Sequence, residues 1–175
     1  SESFEIYVFG TLVTISVWDA EPTARDAAVT EITAKFQKMH HEWHAWRPGP
    51  LVDINRAIAA GQEIALPKSI ESLLVRSQQL YRQSEGMFNP AIGGLLQLWG
   101  FQSDVRPNGP PPPREAVASW VAAAPGMDDL VIENGKLRST NRAVQLDFGA
   151  FAKGVAVDEA ITILRAHGIK NAIVN

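Results

Sequence analysis

Apolar and polar positions partly alternate through residues 4–19, FEIYVFGTLVTISVWD, which predicts a long β-strand or a hairpin with Gly10 as a bulge or close-approach point. The period then changes. Pro22 suits the first position of a helix, and Ala27, Ile32, Phe36, Met39 and Trp43 recur at helical spacing, so a helix is predicted to about Trp43, with a stop near Arg47-Pro48. A short helix is predicted over residues 51–60, ended by Gly61. Another is opened by Pro67 and Ser69 and runs to Ser84, with Leu73, Leu74, Leu80 and Tyr81 on one face and Gly86 as its cap. Residues 104–113 contain PNGPPPP, where each proline removes a donor and fixes φ, so an extended surface loop is expected. A short helix over residues 114–123 follows. Residues 130–133, 136–139 and 143–146 then read as a meander, with Asn134-Gly135 as a type I′ turn. Strands and helices mix without strict βαβ alternation, which predicts an α+β fold rather than a doubly wound sheet.

The densest chemistry lies in residues 146–175, LDFGAFAKGVAVDEAITILRAHGIKNAIVN, where a strand end, a Gly/Ala-rich turn with one lysine and an amphipathic helix follow without a spacer. Gly149 and Gly154 permit close backbone approach and positive φ. The N–H groups of a helix start attract anions, and Lys153 adds a positive charge there. This predicts phosphate or nucleotide binding, the alternative being a well-capped helix start, since the spacing matches neither G-x-G-x-x-G nor the phosphate loop. Ala172, Ile173 and Val174 read as the start of a buried strand, and the sequence stops at Asn175 before that strand has room to pair. A further segment is expected to complete the sheet, and another to precede Ser1.

Composition narrows the partners. A 175-residue chain that is 46% hydrophobic can bury one sizeable core, and a net charge of −3 with no basic run argues against nucleic acid. Without cysteine there are no disulfides, iron–sulfur clusters or thiolate zinc sites, in either an oxidising or a reducing compartment. No apolar stretch reaches the roughly 18 to 20 residues needed to span a bilayer as a helix.

Three further clusters bear on function. In MHHEWHAW, His40 and His44 are four apart, the spacing of a shared metal, but the pattern is not H-E-x-x-H and a solvated helix end fits better. In AWRPGP, Trp46 is either a flat wall for a ring system or a core plug. In EGMFNPAIGGLLQLWGF, Asn89-Pro90 ends helix and Gly93-Gly94 allows tight passage. Leu95, Leu96, Leu98, Trp99 and Phe101 read as core, while Met87, Phe88 and Asn89 sit at an outward-facing turn.

Taken in order, FGTLVTISV, AWRPGPLVDIN, EGMFNPAIGGLLQLWGF and LDFGAFAKGVAVDEA resemble the motif blocks of the ApbE-type FAD:protein FMN transferases, or flavinyltransferases. The resemblance spans nearly the whole chain and implies the N-terminal half of a single ApbE-like domain, residues 1–175, with a mixed, mainly antiparallel sheet, packed helices and the proline-rich surface loop at 104–113. It implies Mg²⁺-dependent transfer of FMN from FAD onto a Thr or Ser hydroxyl of an acceptor protein, with release of AMP. Attack of a hydroxyl on a pyrophosphate needs positioning and charge neutralisation more than an enzyme nucleophile, which suits these residue types. By the same resemblance Phe9, Trp46, Met87, Phe88, Asn89, Asp147 and Lys153 contact FAD, and the Ala150 carbonyl is offered to Mg²⁺; Asp158 reads as a surface or capping carboxylate. Phe9 stands where the family has Met, Trp46 where it has Tyr, and Pro50 where it has Ser. The catalytic residues and side-chain metal ligands are expected in a C-terminal half, paired with this one. A chain ending at Asn175 is therefore expected to bind FAD weakly and transfer little. The family also implies a periplasmic or lipid-anchored location on the outer side of the inner membrane. Rival readings are a flavin carrier without chemistry, an Mg²⁺-dependent FAD pyrophosphatase yielding FMN and AMP, and a structural domain.

Overall fold

The computed structural model describes residues 2–175. Two compact units form, one from the residues up to His41 together with Gly149–Asn175, the other from Glu42–Phe148.

In the first unit, β1 (Glu2–Val8) and β2 (Thr11–Trp18) make an antiparallel hairpin. The expected irregularity at Gly10 is its turn rather than a bulge: Phe9 and Gly10 have φ of 55° and 71°, the two positive values of a type I′ turn. Ile6, Val8, Ile15 and Val17 face inward and are buried, as period-two alternation requires. Helix α1 (Pro22–Trp43) buries Ala28, Ile32, Phe36, Met39 and Trp43. Ala27, expected on that face, is exposed, because the 3.6-residue repeat running back from Ile32 lands on Ala28. Helix α6 (Ala152–Ala166) presents small residues, Ala152, Ala156 and Ala160, at intervals of four. It meets α1 through Lys35–Glu159 at 3.2 Å and His167–Glu31 at 2.8 Å. Gly168, at φ 75°, ends α6 and leads into β6 (Asn171–Val174). Contrary to the expectation of a buried, unpaired strand, β6 pairs antiparallel with β2, Val174 opposite Ile15 and Ala172 opposite Val17. Its intervening Ile173 lies opposite the outward Ser16 and is exposed.

In the second unit, α2 (Pro50–Ala60) buries Leu51, Ile54, Ala57 and Ile58. It ends on Gly61 at φ 69°, whose N–H bonds the Ile58 carbonyl. Helix α3 (Lys68–Gln83) buries Ile70, Leu73, Leu74 and Ser77. Ser69 does not cap it; its hydroxyl donates to Glu42 at 2.5 Å. The turn that closes α3 is shared: Gly86 N–H bonds the Tyr81 carbonyl, while Glu85, at φ 53°, holds the left-handed position that glycine usually takes. The second sheet is β3 (Ile64–Ala65), β5 (Lys136–Ser139) and β4 (Leu130–Glu133), all antiparallel, with the expected Asn134-Gly135 turn between β4 and β5. Residues 143–146 do not form the third strand of that meander. Asn141 Oδ1 accepts the Ala143 N–H and turns the chain away, and β3 takes the place beside β5. The fold is thus α+β with mainly antiparallel pairing, divided between two three-stranded sheets.

The rest of the second unit explains the glycine pair. Helices α4 (Gly93–Leu98) and α5 (Arg114–Ala123) lie side by side, with the indole of Trp120 seated on Gly94. A Cβ at Gly94 would stand 2.0 Å from the Trp120 ring, and one at Gly93 would stand 2.6 Å from the Gln145 carbonyl oxygen. Trp99 and Phe101, expected in the core, are instead 42% and 60% exposed. Gly100, at φ 79°, ends α4 after six residues and turns the following chain outward. The extended loop over 104–113 is exposed along most of its length, as its prolines predict.

Gly93→Ala and Gly94→Ala are each expected to lower stability by roughly 1–3 kcal/mol through overpacking. Gly154→Ala, which has open space within 4 Å, is expected to raise it by about 0.5–1 kcal/mol. Urea midpoints of the three variants check this.

Candidate functional site

The best-defined geometry surrounds Leu146 and Asp147. Asn55, at the end of the AWRPGPLVDIN block, projects from α2 and meets Leu146 with both ends of its amide: Leu146 N–H donates to Oδ1 at 2.7 Å, and Nδ2–H donates to the Leu146 carbonyl at 2.9 Å. The adjoining chain lies along the turn after Asn89. Asp147 N–H donates to the Pro90 carbonyl at 2.9 Å, Gln145 N–H to Ala91 at 3.1 Å, and Gly93 N–H to Gln145 at 2.7 Å, with a parallel bridge between Ile92 and Gln145. This accounts for the irregular backbone of residues 143–146, whose polar groups find partners outside any sheet. The Asp147 carboxylate is half-buried and accepts a hydrogen bond from Gln102 Nε2 at 2.9 Å.

The turn at Met87 to Asn89 leads directly into the segment 90–92 that this chain pairs with. Met87 is 88% exposed, and Phe88 is half-buried with its N–H on Ser84 Oγ at 2.9 Å. Asn89 is committed to the fold, its amide nitrogen donating to the Pro125 carbonyl at 2.8 Å and its Oδ1 accepting the Ala91 N–H at 3.0 Å. It therefore shapes the turn that displays Met87 and Phe88. Beside it lies an apolar cavity of about 170 Å³, well below the roughly 300–1,000 Å³ of ordinary ligand pockets. A larger open cavity of about 990 Å³ is walled by Trp99, Phe101, Val105 and the prolines of the 104–113 loop.

Trp46 is not a core plug. It is 40% exposed, with its edge against His44 at a centroid distance of 4.5 Å and an interplanar angle of 74°. His44 has left α1, and its Nδ1 accepts the N–H groups of Arg47 at 3.2 Å and Trp46 at 3.4 Å, shaping the loop. This requires the proton on Nε2 in the neutral ring. Next to Trp46, Arg47 pairs with Asp104 at 2.7 Å. Among the described residues no three His, Asp or Glu side chains gather to hold a metal ion.

In the first unit, Phe9 is half-buried, its ring 5.6 Å from Phe36 and 5.8 Å from His40. A bulky residue at positive φ is unusual, and Phe9 and Glu85 both occupy such positions inside two of the four motif blocks. Lys153 is exposed in the first turn of α6, a turn without acidic residues and without a side-chain cap at Phe151. Gly154 belongs to the helix itself rather than to a positive-φ turn, and Ala150 is exposed in the turn before it. Asp158 is an exposed residue farther along α6.

The ApbE family model matches residues 9–175. The chain belongs to the ApbE family. It is 44% identical over its full length to a FAD:protein FMN transferase of Rhodobacter capsulatus, of which it covers 33%, and 29% identical to one of Treponema pallidum (strain Nichols), covering 96% of this chain and 48% of that protein. The apo flavinyl transferase ApbE of Pseudomonas stutzeri shares its fold with a TM-score of 0.84 at 28% identity, over 99% of this chain and 57% of that one. The chain thus spans a third to about half the length of these curated relatives.

Of the residues singled out from sequence, the structure draws Asn89 and Asp147 onto one stretch of paired backbone and leaves Trp46, Met87 and Lys153 displayed to solvent. Sequence reasoning missed Gln102, Arg47 and Asp104, whose partners lie 45 and 57 positions away with no periodic signal to link them. Asn55 was visible only as the closing letter of a motif.

Asn55→Ala leaves both Leu146 backbone groups without their partner. It is expected to cost about 2–4 kcal/mol for two half-buried hydrogen bonds. Glu85→Gly, which relieves a left-handed residue, is expected to add about 1 kcal/mol. Chemical denaturation of each variant measures both.

Proposed function

We propose that this protein acts in Mg²⁺-dependent transfer of FMN from FAD to a Thr or Ser hydroxyl of an acceptor protein, with AMP as the leaving product. The observation that carries this reading is the identity of 44% along the full chain with a FAD:protein FMN transferase. The residue chemistry supports it. An exposed indole on a proline-restrained loop can cover a heterocycle, worth on the order of 1–3 kcal/mol by analogy with base stacking. The Asp147 carboxylate, as a pure acceptor, can take an N–H or O–H of the dinucleotide. Lys153, at the amino end of α6, offers charge where helix N–H groups already favour an anion. Phe9, Met87 and Phe88 supply apolar surface, and Asn89 holds the turn that carries the last two.

The pyrophosphate oxygens would gain charge neutralisation from Mg²⁺ when the ion is bound. The residues described here do not form a site for it unaided: Ala150 contributes one carbonyl, while Mg²⁺ demands near-octahedral oxygen ligation. What this chain's own residues do is bind and orient FAD. Placement on the outer side of the inner membrane belongs to the same proposal; no helix among the described residues is long and apolar enough to cross a membrane.

Titration with FAD, followed by flavin and tryptophan fluorescence, is expected to show binding that weakens about 5–100-fold in Trp46→Ala and about 10–100-fold in Lys153→Ala. Incubation with FAD, Mg²⁺ and an acceptor protein is then read for AMP and for covalently flavinylated product. FMN and AMP without labelled acceptor indicates a pyrophosphatase and removes the transferase reading, as does no flavin binding, which indicates a structural domain. Because the residues described do not form the Mg²⁺ site unaided, retained but uncleaved FAD indicates a carrier only in a chain that spans the full length of its relatives.

A further inference from the structure

We propose that Gln102 is the positioning residue of the flavin site, holding the Asp147 carboxylate in the rotamer that receives FAD; this rests on the reading of Asp147 as a flavin contact. The main chain at Asp147 is already fixed by the Pro90 carbonyl at 2.9 Å, and its neighbour Leu146 by both ends of the Asn55 amide. The side-chain torsion is restrained by the 2.9 Å hydrogen bond from Gln102 Nε2 to Oδ2. The amide orientation follows from chemistry, because an ionised carboxylate only accepts and Nε2 must be the atom that faces it.

Gln102 is itself held at both ends. On one side Gly100 N–H and Phe101 N–H close α4 onto Gln97 and Leu96, each at 2.9 Å. On the other, Asp104 pairs with Arg47 at 2.7 Å, next to Trp46. The tripeptide Gln102-Ser103-Asp104 therefore bridges the segment carrying the carboxylate and the loop carrying the indole. The Arg47–Asp104 pair is largely exposed, and such pairs contribute little, so the half-buried amide bond is the contact that counts. A neutral donor also suits the task, since its hydrogen bond is weaker than a charge-assisted one and competes less with a ligand hydroxyl.

The test is FAD affinity in the unsubstituted chain and in Gln102→Leu, Gln102→Glu, Asp147→Ala and the Gln102→Leu/Asp147→Ala double variant, with thermal midpoints recorded alongside. Gln102→Leu is expected to raise the FAD Kd about 5–10-fold, equivalent to about 1–1.4 kcal/mol, with little change in midpoint. Gln102→Glu sets one carboxylate against another, so its larger loss at pH 8 is expected to shrink toward pH 5 as the pair takes up a proton, a profile that loss of packing alone does not produce. In the Asp147→Ala background Gln102→Leu is expected to add nothing. Normal affinity in Gln102→Leu beside weak affinity in Asp147→Ala overturns the positioning role while leaving the flavin reading intact. Additive losses in the double variant overturn it as well. Unchanged affinity in Asp147→Ala removes the contact on which the proposal rests, and no FAD binding by the unsubstituted chain overturns the flavin reading itself.

Discussion

The second unit depends on one contact, the two-way hydrogen bonding of Asn55 with the backbone of Leu146. Residues 143–148 run through half-buried and buried surroundings without a strand ladder, so their N–H and C=O groups need partners from elsewhere. Asn55 supplies two, and the turn at Pro90 and Ala91 supplies more. A side-chain amide carries a donor and an acceptor side by side, so from its place on α2 Asn55 can donate and accept at once. Asp147 inherits its position from that clamp.

A second constraint is close packing without side chains. Gly93 and Gly94 let a helix start press against the Gln145 carbonyl and the Trp120 ring, with no room for even one methyl group. The Asn89 turn, the 145–147 segment and α5 are thereby locked to one another, and Asn89 adds its bond to Pro125. Rigid backbone around a few displayed side chains is what a binding site on loops requires. Phe9 and Glu85 add left-handed backbone in two motif blocks, conformations that bulky or charged residues hold only when the surroundings over-determine them.

Much of this was legible in advance. The boundaries of α1, α2, α3 and α5 follow from Pro22, Pro50, Gly61, Pro67 and the proline loop, because those residues act locally on φ and on hydrogen-bond supply. The Asn134-Gly135 hairpin was legible for the same reason. The expectations that failed share a different cause. Trp99 and Phe101 are as apolar as any core residue, but α4 ends at Leu98 and Gly100 turns the following chain outward, and both rings are exposed. Residues 143–146 have strand composition, but Asn55 and Asn141 bond their backbone. Residues 171–174 pair with β2, with Ile173 turned outward.

By itself the sequence determined the first hairpin, helices α1, α2, α3, α5 and α6, the Asn134-Gly135 hairpin, the family, and the displayed groups at Met87 and Lys153, because each is encoded by local periodicity, by turn residues or by contiguous motif blocks. Tertiary structure alone decided which polar side chains would work together. Asn55 reaches Leu146 across 91 residues, and Gln102 reaches Asp147 across 45. A hydrogen bond is specified by atoms meeting within about 3 Å, and nothing in the order of residues along a chain states which distant amide will arrive there.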